Sequence, residues 1–242
     1  MTAHPKVTLV TCKSMPNLFK DEEGLLDELA ARGCDPQIKV WNDPDVDWSE
    51  AGMVVVRSVS DYASDRPAFL EWTKQLSRVQ NSADVLNWNT DKHYLKELAA
   101  LGMPTIPTNW LEPEQNLSKH QIHTRFPAFG EFVVKPAVSS GVRDIGRYTT
   151  VDTRQRQAAM RQVQGLLGEG RSVMIQRYVE EIDLHGEISL VFFNGLVSHA
   201  VEKRSALHPA SVSDPAVHEA VVTAEAADSV AWKWGEEIRR VL

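Results

Sequence analysis

The sequence predicts an α/β chain of more than one lobe: an N-terminal unit with a parallel sheet, followed by an α+β portion built on antiparallel strands. Three observations carry this. Short β-branched runs alternate with amphipathic helical stretches in the first third of the chain, the pattern of strand–helix–strand units. Asn194-Gly195 sits between two apolar runs and marks a two-residue hairpin. The 242 residues, at 43% hydrophobic content, suffice for two or three lobes with cores.

Taken in order, Lys6 to Cys12 (KVTLVTC) reads as a buried strand. Asp21 to Arg32 carries Leu25, Leu26, Leu29 and Ala30 at helical spacing and stops at Gly33. Pro36 to Trp41 is a second strand, Asn42-Asp43-Pro44 a turn, and Gly52 to Arg57 (GMVVVR) a third strand. Pro67 to Val79 reads as a helix with proline in its first turn. Asp84 to Asn87 reads as a short strand, and Thr90 as the cap of a helix from Asp91 to Leu101 that presents Lys92 at its start. The proline-rich MPTIPTNWL crosses to the next lobe. There the pattern gives a strand into Lys135, a small-residue loop from Ala137 to Gly141, a strand from Gly146 to Thr150, a helix from Thr153 to Leu167 and a strand ending at Gln176. A hairpin runs from Glu187 to Glu202, Leu207 to Pro215 reads as a mobile loop, and His218 to Val241 reads as a helix containing Trp232 and Trp234. The domain boundaries implied are 1–88, a linker and core entry at 89–128, a small subdomain at 129–180 and a core subdomain at 181–242.

Composition narrows the function. The net charge of −7 argues against a nucleic-acid partner, since phosphate backbones call for a basic face. No apolar run approaches membrane-spanning length and no signal-peptide pattern opens the chain, so a cytoplasmic protein without a membrane partner is expected. Two cysteines, Cys12 and Cys34, make neither a disulfide framework nor a metal set. A homodimer is compatible with this reading.

The stretch from Phe132 to Lys203 carries the chemistry. It opens FVVKPAVSSGVRDIGRY, continues with SVMIQRYVEE and closes with HGEISLVFFNGLVSHAVEK. Separated lysines, a Ser/Gly loop and a strand that runs into open backbone suit a nucleoside triphosphate: ammonium groups offset phosphate charge, and loop amides meet phosphate oxygens.

In this order the motifs resemble the ATP-grasp superfamily, the ligases that include glutathione synthetase and D-alanine–D-alanine ligase, with VLNWNTDKHYLKELAALGMPTIPT extending the likeness towards the N-terminus. The resemblance implies a Rossmann-like N-terminal domain, an α+β lid and a core domain, with ATP and Mg²⁺ as cofactors. It implies that Lys92 and Lys135 hold the α- and β-phosphates, that Ser139, Ser140 and Gly141 donate from the lid loop to the β- and γ-phosphates, and that Lys203, with Arg204, stabilises the transferred phosphoryl group. Gln176, Arg177, Tyr178 and Val179 would form the adenine hinge, and Glu180, Asp183 or Glu187 would take the ribose hydroxyls. The GMVVVRS segment, VLNWNTDKHYL and GEISLVFFNGLVSHAVEK are similar to an actinobacterial-type subgroup that includes the cyclo-ligase of D-cycloserine biosynthesis, which closes O-ureido-serine with ATP. A tryptophan often precedes the Asp-Tyr pair in that group; Ser60 stands here. The acceptor would be a small amino-acid-like molecule. Arg57 and Ser58, at the carboxyl end of a parallel strand, and His199 are candidates to hold it; equally, Arg57 can pair with Asp61 or Asp65, and His199 can make a structural hydrogen bond.

One part of the superfamily pattern is not found. Its magnesium ligands stand on a further strand pair. After Lys203 the acidic residues are Asp214, Glu219, Glu225, Asp228, Glu236 and Glu237, all in loop or helix by pattern. The expectation is a core that stops before the metal strands, with no metal ligand assigned. Two rival readings follow: a nucleotide-binding module without turnover, and a ligase that adds an amino acid to a peptide tail.

Overall fold

The computed structural model describes residues 4–22, 24–203, 205–207, 221–224 and 229–241. The chain divides into two units, one of Met1–Lys92 with Val138–Gly141, the other of His93–Ala137 with Val142–Leu242.

In the first unit β1 (Lys6–Thr11) leads through α1 (Gly24–Ala31) to β2 (Asp35–Val40), then to β3 (Met53–Ser58), α2 (Arg66–Lys74), β4 (Val79–Gln80) and α3 (Ala83–Asn89). The four strands form one parallel sheet in the order β2-β1-β3-β4. Leu9, Val10 and Val54 are buried, and Trp41, Phe69 and Trp72 form an aromatic cluster in the core that Val10 and Val54 share. Gly52, at φ +70°, is required where β3 begins: a Cβ there would sit 2.4 Å from the Lys6 carbonyl oxygen.

The second unit contains α4 (Tyr94–Ala100), β5 (Thr108–Leu111), α5 (Lys119–His123), β6 (Glu131–Pro136), β7 (Gly146–Thr149), α6 (Thr153–Gly168), β8 (Val173–Arg177), α7 (Glu181–His185), β9 (Glu187–Phe193), β10 (Leu196–Lys203), β11 (Val221–Ala224) and α8 (Ser229–Val241). Four strands pair antiparallel in the order β5-β8-β6-β7, and three in the order β11-β10-β9. Phe132 and Val134 of β6, Val173 and Ile175 of β8, and Ala159 and Val163 of α6 make one dry core. The alternation of β6 buries Phe132 and Val134 and leaves Lys135 only half-buried between two buried neighbours. Asn194 and Gly195, at φ 54° and 78°, close the β9–β10 hairpin in the left-handed conformation that such a turn needs.

Several expectations are corrected. The segment read as a strand at Asp84 to Asn87 is helical, because the Ser82 side chain accepts from the Val85 amide and starts α3. The fourth strand is instead Val79–Gln80, and the helix from Pro67 ends at Lys74. Thr90 does not cap α4: its hydroxyl bonds back to the Leu86 carbonyl and closes α3. α4 begins at Tyr94, so Lys92 lies in the turn before it. Thr108–Leu111, read as a crossing, is an edge strand paired with β8. The region from His218 read as one helix holds a strand, Val221–Ala224, before α8, so a strand does follow Lys203. Its β-branched Val-Val-Thr pairs with β10, and that pairing outweighs the helix-favouring Ala and Glu around it. Leu207 to Pro215 lies outside the described residues beyond Leu207.

Phe132→Ala removes a fully buried ring from the core beneath β6. It should cost about 3–5 kcal/mol, read as a lower urea midpoint.

Candidate functional site

In the first unit the turn before α4 places the Lys92 ammonium on Ser139: its Nζ donates to the Ser139 hydroxyl at 2.8 Å and to the Ser139 carbonyl at 3.2 Å. The Tyr62 hydroxyl donates to the same carbonyl at 3.0 Å. Ser139 is buried, Ser140 is half-buried and Gly141 has a left-handed φ of +60°. Lys92 and the Ser139–Gly141 loop, picked separately from sequence, therefore stand together.

The other predicted groups belong to the second unit. Burial pushes the Lys135 ammonium below the ordinary lysine range, and the charge of Glu187 works against that shift. Glu187 is thus a carboxylate whose charge acts on Lys135. The hairpin register sets Lys203 opposite Glu187 on β9. Arg204 lies outside the described residues.

The predicted hinge follows β8, which runs one residue past Gln176. Gln176 is buried and its side-chain amide donates to the Thr108 hydroxyl at 2.8 Å. Arg177 is exposed, its guanidinium 4.4 Å from the Phe129 ring centroid. The Tyr178 amide donates to the Glu131 carbonyl at 2.9 Å, and the Val179 carbonyl accepts from Ile182 at 3.2 Å. Glu180 is exposed at the start of α7. Asp183 is drawn into a cluster around Arg147. The Arg147 guanidinium lies 3.6 Å from the Tyr178 ring centroid, pairs with Glu131 at 2.5 Å and Asp183 at 2.8 Å, and donates to the Leu207 carbonyl at 3.2 Å. The Tyr178 hydroxyl also donates to Asp183. Burial pulls the guanidinium down, but Glu131 and Asp183 outweigh it and hold Arg147 above its usual range. Burial, then the bond to Asp183, push the Tyr178 phenol up.

The candidate acceptor residues sit elsewhere. Arg57 pairs with neither Asp61 nor Asp65 but with Glu22, at 2.6 Å. The buried Ser58 donates its hydroxyl to the other Glu22 oxygen and accepts from the Phe19 amide at 3.0 Å. Asp61 accepts from the Trp41 indole, and Asp65 caps α2. Exposed His199 contacts the Ser198 hydroxyl at 3.0 Å. Cys12 lies beside the Ser14 and Ser60 hydroxyls; burial raises its thiol pKa, but those hydrogen bonds prevail and lower it.

Sequence reasoning did not single out Glu22, Tyr62 or Arg147. Tyr62 was visible, directly after Asp61 and just beyond the GMVVVR strand, but nothing local says where its hydroxyl ends. Arg147 lies one residue inside a strand that reads as ordinary lid, and its partners come from β6, α7 and the chain past β10. Among the described residues no group of three or more His, Cys, Asp or Glu stands together to hold a metal ion, and none is assigned to one.

A buried ammonium destabilises the folded state. Because the Lys135 pKa is lowered on folding, the native state binds fewer protons than the unfolded chain between the lowered value and the ordinary lysine value, and stability rises with pH across that window. Lys135→Met should leave ligand-free stability at neutral pH equal or higher and abolish that alkaline rise. Urea midpoints from pH 7 to pH 10 would check this.

Comparison with known proteins fits this geometry. Residues 7–87 match the N-terminal domain of D-cycloserine synthetase DcsG. The cycloserine biosynthesis protein DcsG of Streptomyces lavendulae is 35% identical over 194 residues, 78% of this chain and 64% of that protein, so the chain spans less than two thirds of that relative's length. The crystal structure of D-cycloserine synthetase DcsG aligns with a TM-score of 0.80 at 30% identity, covering 97% of this chain and 80% of that one. A RimK domain ATP-grasp protein from Sphaerobacter thermophilus shares the fold alone, at 13% identity and a TM-score of 0.60 over 97% of this chain and 98% of its own. The fold is ATP-grasp, and the chain belongs to the D-cycloserine synthetase family.

Proposed function

We propose that the protein is an ATP-dependent ligase that activates the carboxylate of a small amino-acid-like molecule, O-ureido-D-serine or a close analogue, and joins it to a nitrogen of the same molecule. The observation that carries this reading is Lys135: a lysine kept half-buried on a core strand between the buried Val134 and Pro136, its ammonium disfavoured by burial. Such a group is useful when a polyanion arrives to offset it. Membership in a family with D-cycloserine synthetase supports the substrate class.

In this reading Lys92 and Lys135 neutralise phosphate charge and the Ser139–Gly141 loop donates amides to phosphate oxygens. Glu187 holds Lys135 charged, and Arg57, braced from behind by Glu22, offers its outer N–H groups to the acceptor carboxylate. The carboxylate oxygen attacks the γ-phosphorus, the bond to ADP breaks, and an acylphosphate forms. A nitrogen lone pair then attacks the acyl carbon, phosphate leaves, and the nitrogen proton passes to solvent. The protein's part is positioning and charge stabilisation. A cytoplasmic protein, with ATP at hand, is part of this proposal.

The test is ADP release by the full chain with ATP, Mg²⁺ and O-ureido-D-serine, with mass spectrometry for a cyclised product. ADP should form only when the acceptor is present. Lys92→Ala should lower kcat/KM for ATP about tenfold to a hundredfold, the range for a lost charge-assisted bond. Absence of ADP across carboxylate acceptors, with a non-hydrolysable ATP analogue still bound, would overturn the ligase reading and leave a binding module.

A further inference from the structure

We propose that Tyr62 is a positioning residue that aims the Ser140 amide at a phosphate oxygen of the nucleotide; the inference rests on the nucleotide reading above. Tyr62 opens the 3₁₀ turn that follows β3, and its ring packs 5.7 Å from the Phe69 centroid, so the side chain is held by the core of its own unit. Its hydroxyl reaches the Ser139 carbonyl at 3.0 Å. Lys92 donates to the same oxygen at 3.2 Å, so two donors meet one carbonyl, which has two lone pairs to offer.

That carbonyl belongs to the peptide joining Ser139 to Ser140. A trans peptide is planar, with its C=O and N–H on opposite sides. Fixing the Ser139 oxygen on Tyr62 therefore turns the Ser140 N–H to the other side, away from both donors. Gly141 follows in the left-handed conformation found in amide concavities that bind anions. The loop is thereby oriented before any ligand arrives.

The two donors are not equivalent. Lys92 is a cation on a flexible stem, and phosphate competes for it. When its ammonium turns to the nucleotide, the Ser139 carbonyl loses that donor. Tyr62 is neutral and packed, with no reason to follow. It is the group that keeps the peptide plane fixed while Lys92 changes partner, so its contribution falls on the phosphate end of the ligand and not on the adenosine end.

Tyr62→Phe keeps the ring and removes the hydroxyl. Isothermal titration of the full chain with AMPPNP and with AMP, both in Mg²⁺, reads the difference. The variant should bind AMPPNP about three- to tenfold more weakly, as for one lost hydrogen bond, with AMP affinity unchanged. A merely structural role would weaken both nucleotides together, and that result, like an unchanged AMPPNP affinity, overturns the inference. If the wild-type chain binds no AMPPNP, the nucleotide reading itself fails, a result distinguishable from normal wild-type binding with an unaffected variant.

Discussion

Keeping a lysine ammonium partly out of water on a strand whose neighbours are fully buried is the constraint around which the second unit is arranged. Val134 is 0% exposed and Phe132 is 0% exposed, so β6 cannot slip by one residue without pulling both out of the core they share with α6. The register with β7 and β8 is thereby fixed, and the cation is fixed with it. Desolvation disfavours its charge and Glu187 restores part of it. A core designed for stability alone would place an apolar residue here. The arrangement makes sense when the missing counter-charge is supplied by a ligand.

Arg147 shows the opposite solution to the same problem. It too is largely buried, yet Glu131, Asp183, the Leu207 carbonyl and the Tyr178 ring answer it from four directions. Its charge is fully spent inside the protein, and it ties the strand β7 to the chain on both sides of the β9–β10 hairpin. This reassigns Asp183. A carboxylate that accepts from both Arg147 and the Tyr178 hydroxyl is a fastener for the segment after β8. Glu187, on the next strand, is instead the carboxylate whose charge acts on Lys135.

What could be read from sequence follows the range of the forces involved. The parallel first sheet, the lid strands, α6 and the Asn194-Gly195 turn were legible because apolar periodicity and turn chemistry act over a few residues. Lys92 and the Ser139–Gly141 loop were picked by their order along the chain, and the Lys92 ammonium does meet Ser139. The misses are tertiary or lie at caps. Val221–Ala224 is a strand only because β10 offers an edge. Thr90 was read as beginning a helix when its hydroxyl finishes the one before, since a threonine between two short helices suits either task. Glu22 is separated from Arg57 by α1, β2 and most of β3, and no local pattern joins them.

That last pair bears on how an acidic protein can recognise an anion. The net charge of −7 would repel a carboxylate or a triphosphate at long range. Any attraction an anion meets on such a protein is local, from cations held in place by the fold. Glu22 is buried, and both its oxygens are engaged, one by Arg57 and the other by Ser58. Such a carboxylate is held in place, and it engages one side of a guanidinium that stays partly exposed. An arginine has five donors, and one braced edge does not exhaust them. Ser58 belongs to the same network one step further back: its hydroxyl engages the Glu22 oxygen that Arg57 does not.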